Sequence, residues 1–345
     1  MCGRQCLTLA PKDIVCACKY STKIGDEKKD MEPEWRAEYN LGRKYEGSHN
    51  IAPTDITPVL VSAKHFDEAE VDGNRRVLVP MMWGMIPFWH KGDYRKHGLT
   101  TNNCRLESML TSKLYSRPFT KGQRCVILCE GFYEWQTTKP VKKSSERAAY
   151  FIHAPQSSDD FQIYDKSTWN GENINLLKMA GLYDIWTDSN GDKIYSYSVI
   201  TFQSNDVLNW LHDRMPAILE TEEQISDWLN CGQISNNPAL SALKPAKKLC
   251  WYQVSNEVNN SRNKSPTCNK PLSKEDIKKL AMIKTPKQSN MLTSWLIKSE
   301  NKSNIKKEQG ENFEIKKEIT DSVPVKREKS EKDDESEAKR LKKSE

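Results

Sequence analysis

The stretch Arg124-Cys125-Val126-Ile127-Leu128-Cys129-Glu130-Gly131-Phe132-Tyr133-Glu134-Trp135 decides the fold. Residues 124–130 are an apolar run of strand length, and the run continues into Gly131-Phe132-Tyr133-Glu134-Trp135. Working outward, 57–62, 76–82, 149–152, 176–183 and 195–201 also read as strands. The turn signal Ser189-Asn190-Gly191-Asp192 joins the last two in a hairpin over 182–201. Helices are expected at 11–18, opened by Pro11, and at 204–212 and 221–230. Residues 24–48 are charged and irregular, as in a surface loop. Strands outnumber helices without alternating regularly with them, which selects α+β over a doubly wound α/β fold. No repeat of fixed period is visible.

The chain has 345 residues, 37% hydrophobic, with ten Trp, enough for a sizeable core in part of its length. Its mean hydropathy of −0.77 is too polar for a chain folded throughout. It contains no apolar run of about 18 residues and no apolar signal core, so no membrane span and no secretion are expected. The ten Cys should therefore be reduced. None forms a CxxC pair and the six His are scattered, so neither a metal nor a cofactor is expected.

Net charge is +6, but residues 271–345 hold 19 Lys/Arg against 15 Asp/Glu, which leaves 34 against 32 in the first 270. A nucleic-acid surface on the folded part must then be a local patch. From 271 onward, Lys, Glu, Ser and Asn dominate and aromatics are few, the composition of a disordered tail. Three tail segments, around Lys306, Lys316 and Lys326, fit the apolar-Lys-x-Glu pattern that SUMO conjugation reads. Lys326-Arg327 and Lys339-Arg340-Leu341-Lys342-Lys343 are spaced like a bipartite nuclear import signal, so the nucleus is expected. Gln288–Leu296 loosely resembles a motif for a sliding clamp.

Chemistry points to the start of the chain, Met1-Cys2-Gly3-Arg4. A small second residue permits removal of Met1, and Cys2 would then carry an α-amine and a β-thiol on adjacent carbons. Such a 1,2-aminothiol captures aldehydes as five-membered thiazolidine rings, or attacks an amide. It needs a base, an acid and a substrate clamp. Glu134 is one candidate, because a carboxylate among aromatics is costly unless used or paired. His212 is the second, at the start of a loop stiffened by Pro216, with a side chain suited to proton transfer at neutral pH. Asn50, Asn103 and Arg105 supply donors, and Arg suits phosphate. Trp83, Phe88, Trp89 and Trp135 could stack unpaired bases.

Seven pieces then occur in a particular order: Met1-Cys2-Gly3-Arg4, His49-Asn50-Ile51-Ala52-Pro53-Thr54, Trp83-Gly84-Met85-Ile86-Pro87, Asn103-Cys104-Arg105-Leu106-Glu107, Gly131-Phe132-Tyr133-Glu134-Trp135, His212-Asp213-Arg214-Met215-Pro216 and Val254-Ser255-Asn256-Glu257-Val258-Asn259. In this the chain resembles the SOS response-associated peptidase (SRAP) family over about residues 2–265. The resemblance implies a single domain, 2–270, with a strongly curved barrel-like sheet and a positive single-strand channel, followed by the tail 271–345. It implies removal of Met1, with self-cleavage as one route. It implies a monomer whose mature Cys2 crosslinks to abasic sites in single-stranded DNA at replication forks. Carried over by motif, Cys2 is the nucleophile, Glu134 handles the α-amine and His212 is the proton donor. Asn103 fixes the lesion sugar, and Arg4, Asn50, Trp83, Arg105 and Arg214 belong to the DNA cleft. Glu130 departs from the pattern, standing where Asp is common. Two other classes stay open, a thiol peptidase acting on other proteins and a non-catalytic reader of modified cytosine.

Overall fold

A computed structural model describes residues 3–284 apart from 25–26, 37–39, 67–74, 159, 170–173 and 232–235. In chain order its strands are β1 (Arg4–Leu7), β2 (Tyr20–Ile24), β3 (Glu27–Met31), β4 (Glu34–Trp35), β5 (Ser48–Ile51), β6 (Ile56–Ser62), β7 (Arg76–Trp83), β8 (Asn103–Arg105), β9 (Arg124–Cys129), β10 (Gly131–Trp135), β11 (Ala149–His153), β12 (Leu177–Thr187), β13 (Lys193–Gln203), β14 (Arg214–Pro216) and β15 (Cys250–Val254). The expected α+β class holds, as one domain built on a closed barrel.

The stretch 124–135 is two strands in two sheets. β9 lies in the barrel, whose hydrogen-bonded order is β7-β6-β9-β12-β13. β13 closes it by pairing back to β7 in parallel, with Ser196 opposite Met82 and Tyr197 opposite Trp83. The strands of this barrel are buried along nearly their whole length, which explains why 56–62, 76–83 and 124–129 are near-continuous apolar runs rather than alternating ones. Gly181 lets two neighbours close in on β12. A Cβ there would sit 2.3 Å from Ile127 Cδ1 and 2.7 Å from the Ser198 carbonyl oxygen. The hairpin of β12 and β13 turns at Asp188, whose Oδ1 accepts from the backbone of Asn190 at 2.8 Å and of Asp192 at 2.9 Å.

β10 enters a second sheet, ordered β15-β11-β10-β1-β5. The crossing point is Glu130. Its backbone N–H donates to the Cys6 carbonyl at 2.8 Å. Its fully buried carboxylate accepts from the Thr8 amide at 2.6 Å, the Thr8 hydroxyl at 2.7 Å and the Cys6 thiol at 3.2 Å. Burial pushes the Glu130 carboxyl up from its usual range despite these donors. The two sheets meet at Tyr197, whose hydroxyl bonds Thr57 on β6 at 2.6 Å and receives Gln5 Nε2 from β1 at 3.2 Å.

Two expectations are corrected. Residues 24–48 are not wholly irregular. β2 and β3 pair as a hairpin with Tyr20 opposite Met31, and β4 joins the edge of the barrel sheet at β7. Residues 204–212 are successive turns, not a helix. Asn205 accepts from Leu208 at 3.1 Å and Asn209 at 2.9 Å, and Leu208 from Leu211 at 2.9 Å and His212 at 3.0 Å, with no ladder to extend them. The compact unit that begins the chain runs through Ala281 and includes most of the helix Lys274–Lys284. Ser273 starts that helix by accepting from the Asp276 amide at 3.0 Å and donating to its carboxylate at 2.6 Å. The helices at Pro11–Ala17 and Glu222–Leu229 are where the sequence put them. Lys306, Lys316, Lys326, the import signal and Gln288–Leu296 lie outside the described residues. No helix among the described residues is long and apolar enough to cross a membrane.

Candidate active site

Cys2 lies outside the described residues, so the site is built from what surrounds the first described ones. β1 runs antiparallel to β10 with Arg4 opposite Tyr133 and Gln5 opposite Phe132. The residues before Arg4 therefore run toward Glu134 and Trp135. Glu134 is 5% exposed. Its Oε1 accepts from the Trp135 amide at 3.2 Å, and Tyr150 stands directly across on β11.

His212 comes from the turn before β14. Its side chain is 15% exposed, with Nδ1 2.7 Å from the carboxylate of the outward Asp213. The Arg214 amide points at the same Nδ1 from 3.0 Å. An N–H can only donate, so that contact leaves Nδ1 unprotonated and the proton on Nε2 in the neutral ring. The Asp213 contact is the one a protonated ring would use. Burial lowers the His212 pKa, while the carboxylate of Glu134 acts in the opposite direction and Arg147 adds to the lowering. The Thr137 amide, three residues past Glu134, donates to the Leu211 carbonyl at 2.9 Å, which brings His212 to the end of β10 although 78 positions separate it from Glu134.

The other candidates divide by depth. Asn103 sits on β8, which lies along β13 with Asn103 opposite Val199. Its carbonyl accepts from Tyr115 at 3.1 Å and its side chain is half-buried. Arg105 ends the same strand and is exposed. Arg4 is held by the Val258 carbonyl at 2.6 Å, the Asn259 carbonyl at 3.2 Å and Asn50 Oδ1 at 3.2 Å. Its guanidinium stands 6.0 Å from the Trp135 ring centre.

Two further candidates, Asn50 and Trp83, are fully buried, and a third, Arg214, is partly so. Asn50 is fully buried, and its Nδ2 is directed at the carbonyls of Val258 at 3.2 Å, Asn260 at 3.0 Å and Asn263 at 2.9 Å. It ties the 256–263 segment to the second sheet. Trp83 is also fully buried, stacked on Tyr197 with the rings 2° from parallel, its indole N–H donating to Asn102 at 3.0 Å. It supports the segment leading to Asn103 and offers no open face to a base. Arg214 forks onto Glu107 through Nη1 at 2.6 Å and Nη2 at 2.8 Å, and Nη2 reaches the Thr201 carbonyl at 2.9 Å. That pair holds the Glu107 carboxyl below its usual range and locks β14 to the helix Leu106–Met109. Phe88 and Trp89 are the aromatics that do reach solvent, at 36% and 40%, with Arg117 over the Phe88 ring at 4.4 Å and Lys113 over the Trp89 ring at 4.9 Å.

Sequence reasoning missed Glu107 as the clamp of Arg214, Tyr197 as the support of Trp83, and Arg147 as a cation acting on His212. Glu107 stood inside a quoted motif. Tyr197 and Arg147 carry no spacing signal, because their roles arise only when distant strands pair. No group of three or more His, Cys, Asp or Glu side chains among the described residues is arranged to hold a metal ion.

The chain is similar to several known proteins. The abasic site processing protein HMCES of Xenopus tropicalis is 43% identical over 272 residues, covering 78% of this chain and 77% of that one. The abasic site processing protein YoqW of Bacillus subtilis is 31% identical over 225 residues, covering 65% and 85%. Among solved structures, a protein from Bacteroides thetaiotaomicron covers 79% of this chain and all of that one, with a TM-score of 0.57 at 20% identity, a likeness of fold alone. The model of the family described as SOS response associated peptidase (SRAP) matches residues 1–261, and the chain is a member of that family.

Proposed function

We propose that the protein processes abasic sites in single-stranded DNA, becoming covalently joined to them through Cys2 once Met1 has been removed. The observation that carries this reading is that the turn before His212 is bonded to the chain just past β10, the Thr137 amide to the Leu211 carbonyl at 2.9 Å and Gln136 Nε2 to the Trp210 carbonyl at 3.2 Å, which puts an imidazole beside the Glu134 end of a strand that pairs with β1. The names of the relatives, abasic site processing proteins, give the substrate class.

In the proposed reaction an abasic sugar opens to its aldehyde with a proton from His212. The Cys2 amine adds to the carbonyl carbon, Glu134 takes the amine proton, and water leaves to give a Schiff base. The thiolate of Cys2 then attacks the same carbon and closes a thiazolidine, with one water lost overall. Ring closure prevents elimination of the 3′ phosphate, so the strand survives. Met1 must leave first, by hydrolysis of its peptide bond, because before that the amine is acylated. Asn103 and Arg105 are proposed to hold the lesion sugar and a phosphate at the end of β8. A nuclear location, replication forks as the setting, and use of the tail by SUMO machinery or a sliding clamp belong to the same proposal.

The test is crosslinking of a single-stranded oligonucleotide with one abasic site. Cys2→Ala should give no heat-stable adduct, and Cys2→Ser at most a reducible imine or strand cleavage. A full-yield stable adduct from Cys2→Ala would overturn the mechanism.

A further inference from the structure

Beside Glu134 the second sheet carries an aromatic ridge that the proposed chemistry does not use. Glu134 pairs across the ladder with Tyr150, and Tyr150 with Gln253 on β15. Two residues away on the same face, Ile152 pairs with Trp251. The Tyr150 and Trp210 rings meet edge-on with centres 5.0 Å apart, and those of Trp210 and Trp251 lie 5.4 Å apart. Trp251 is 42% exposed, an unusual state for the largest apolar side chain of an edge strand. Trp210 is two residues before His212. The ridge therefore starts at the reacting groups and ends at the sheet edge.

Arg147 adds charge to the same side. It lies just before β11 and is felt by His212. Its Nε is buried and has no hydrogen-bond partner among the described residues. The residue as a whole is only partly buried, and a planar guanidinium fork suits a phosphate. The preceding loop presents exposed Lys139, Lys142 and Lys143. Its Ser145 carbonyl is pinned by Asn256 at 3.4 Å and Asn259 at 3.1 Å, which fixes Arg147 relative to the ridge.

We propose that Tyr150, Trp210 and Trp251, with Arg147, form a stacking platform for the unpaired nucleotides on one side of the abasic site. Bases lie on the Trp210–Trp251 faces and a backbone phosphate meets Arg147. Stacking is indifferent to base identity and extends contact along the strand, so the platform serves a single strand of any sequence. The inference rests on the proposed abasic-site reaction.

The test uses the full chain and three oligonucleotides: a short one with the abasic site and a single neighbour on each side, one extended on the 5′ side, and one extended on the 3′ side. Crosslinking is timed below saturation. The parent protein should favour one extended substrate over the short one, and Trp251→Ala should lose about tenfold on that substrate alone. Arg147→Gln should lower the rate on that same substrate and make it less dependent on salt. Equal rates of Trp251→Ala and parent on all three substrates would overturn the platform. So would an equal loss on all three, which would mark a structural role. A parent that crosslinks none of them would instead sink the proposed function itself.

Discussion

The barrel and the second sheet are made of similar strands and do opposite work. The five barrel strands contain no histidine, and their side chains are almost all buried. The second sheet and its borders carry Arg4, His49, Asn50, Glu130, Glu134 and His153, each at least half-buried and held in place by polar contacts or packing. Closure rids the barrel of edges and makes it the rigid part. The open sheet accepts the chain start as an inner strand between β10 and β5, bringing residue 4 within reach of residue 133. Chemistry that depends on a chain terminus needs such a seam, because a terminus can be inserted between strands of a sheet but is not at hand inside a barrel already closed by internal strands.

The division can be broken by pairing one substitution from each side. Trp83→Ala removes a fully buried indole from the barrel and should cost about 3–5 kcal/mol, read as a lowered denaturant midpoint. His212→Ala should leave that midpoint nearly unchanged and slow crosslinking by about 10²–10⁴-fold, with DNA affinity retained. A loss of affinity instead would make His212 a structural residue. Asn50→Ala sharpens the picture at the seam. Its amide gathers three carbonyls of the 256–263 segment, so about 1–3 kcal/mol should be lost, with faster amide exchange there but not in β9 or β12.

The smallest expected effect is a pH dependence carried by partly buried histidines, which the barrel strands lack. Burial lowers the pKa of His49 on β5, of His153 on β11 and of His212 beside them. Below the unfolded value of about 6.5 the unfolded chain binds more protons than the folded one, so stability falls as pH drops from there and is level above it. Thermal melts between pH 7.5 and 5 should show this decline, and His153→Gln should reduce it. A decline of the same size in that variant would assign the titration elsewhere.

Much of this was legible in the chain. Buried strands such as 56–62 and 124–129 announce themselves as apolar runs, and the hairpin turn by Asn190-Gly191. Glu134 stood out in the sequence as a carboxylate between Tyr133 and Trp135, and His212 as an imidazole before a loop stiffened by Pro216. The split of 124–135 between two sheets was not legible. It depends on Glu130, whose partners Cys6 and Thr8 are more than 120 positions away. The turns at 205–212 read as a helix because their apolar spacing fits one. The depth of Asn50 and Trp83 was hidden as well, since buried and exposed residues of a motif look alike in a sequence.

One measurement addresses the central claim directly. Intact mass would be recorded for the purified protein before and after incubation with a single-stranded oligonucleotide bearing one abasic site. The account predicts loss of the Met1 mass in the free protein, then a gain equal to the oligonucleotide less one water, with the strand uncut. A protein that retains Met1 and still forms the adduct would contradict it, as would a processed protein that gains no mass.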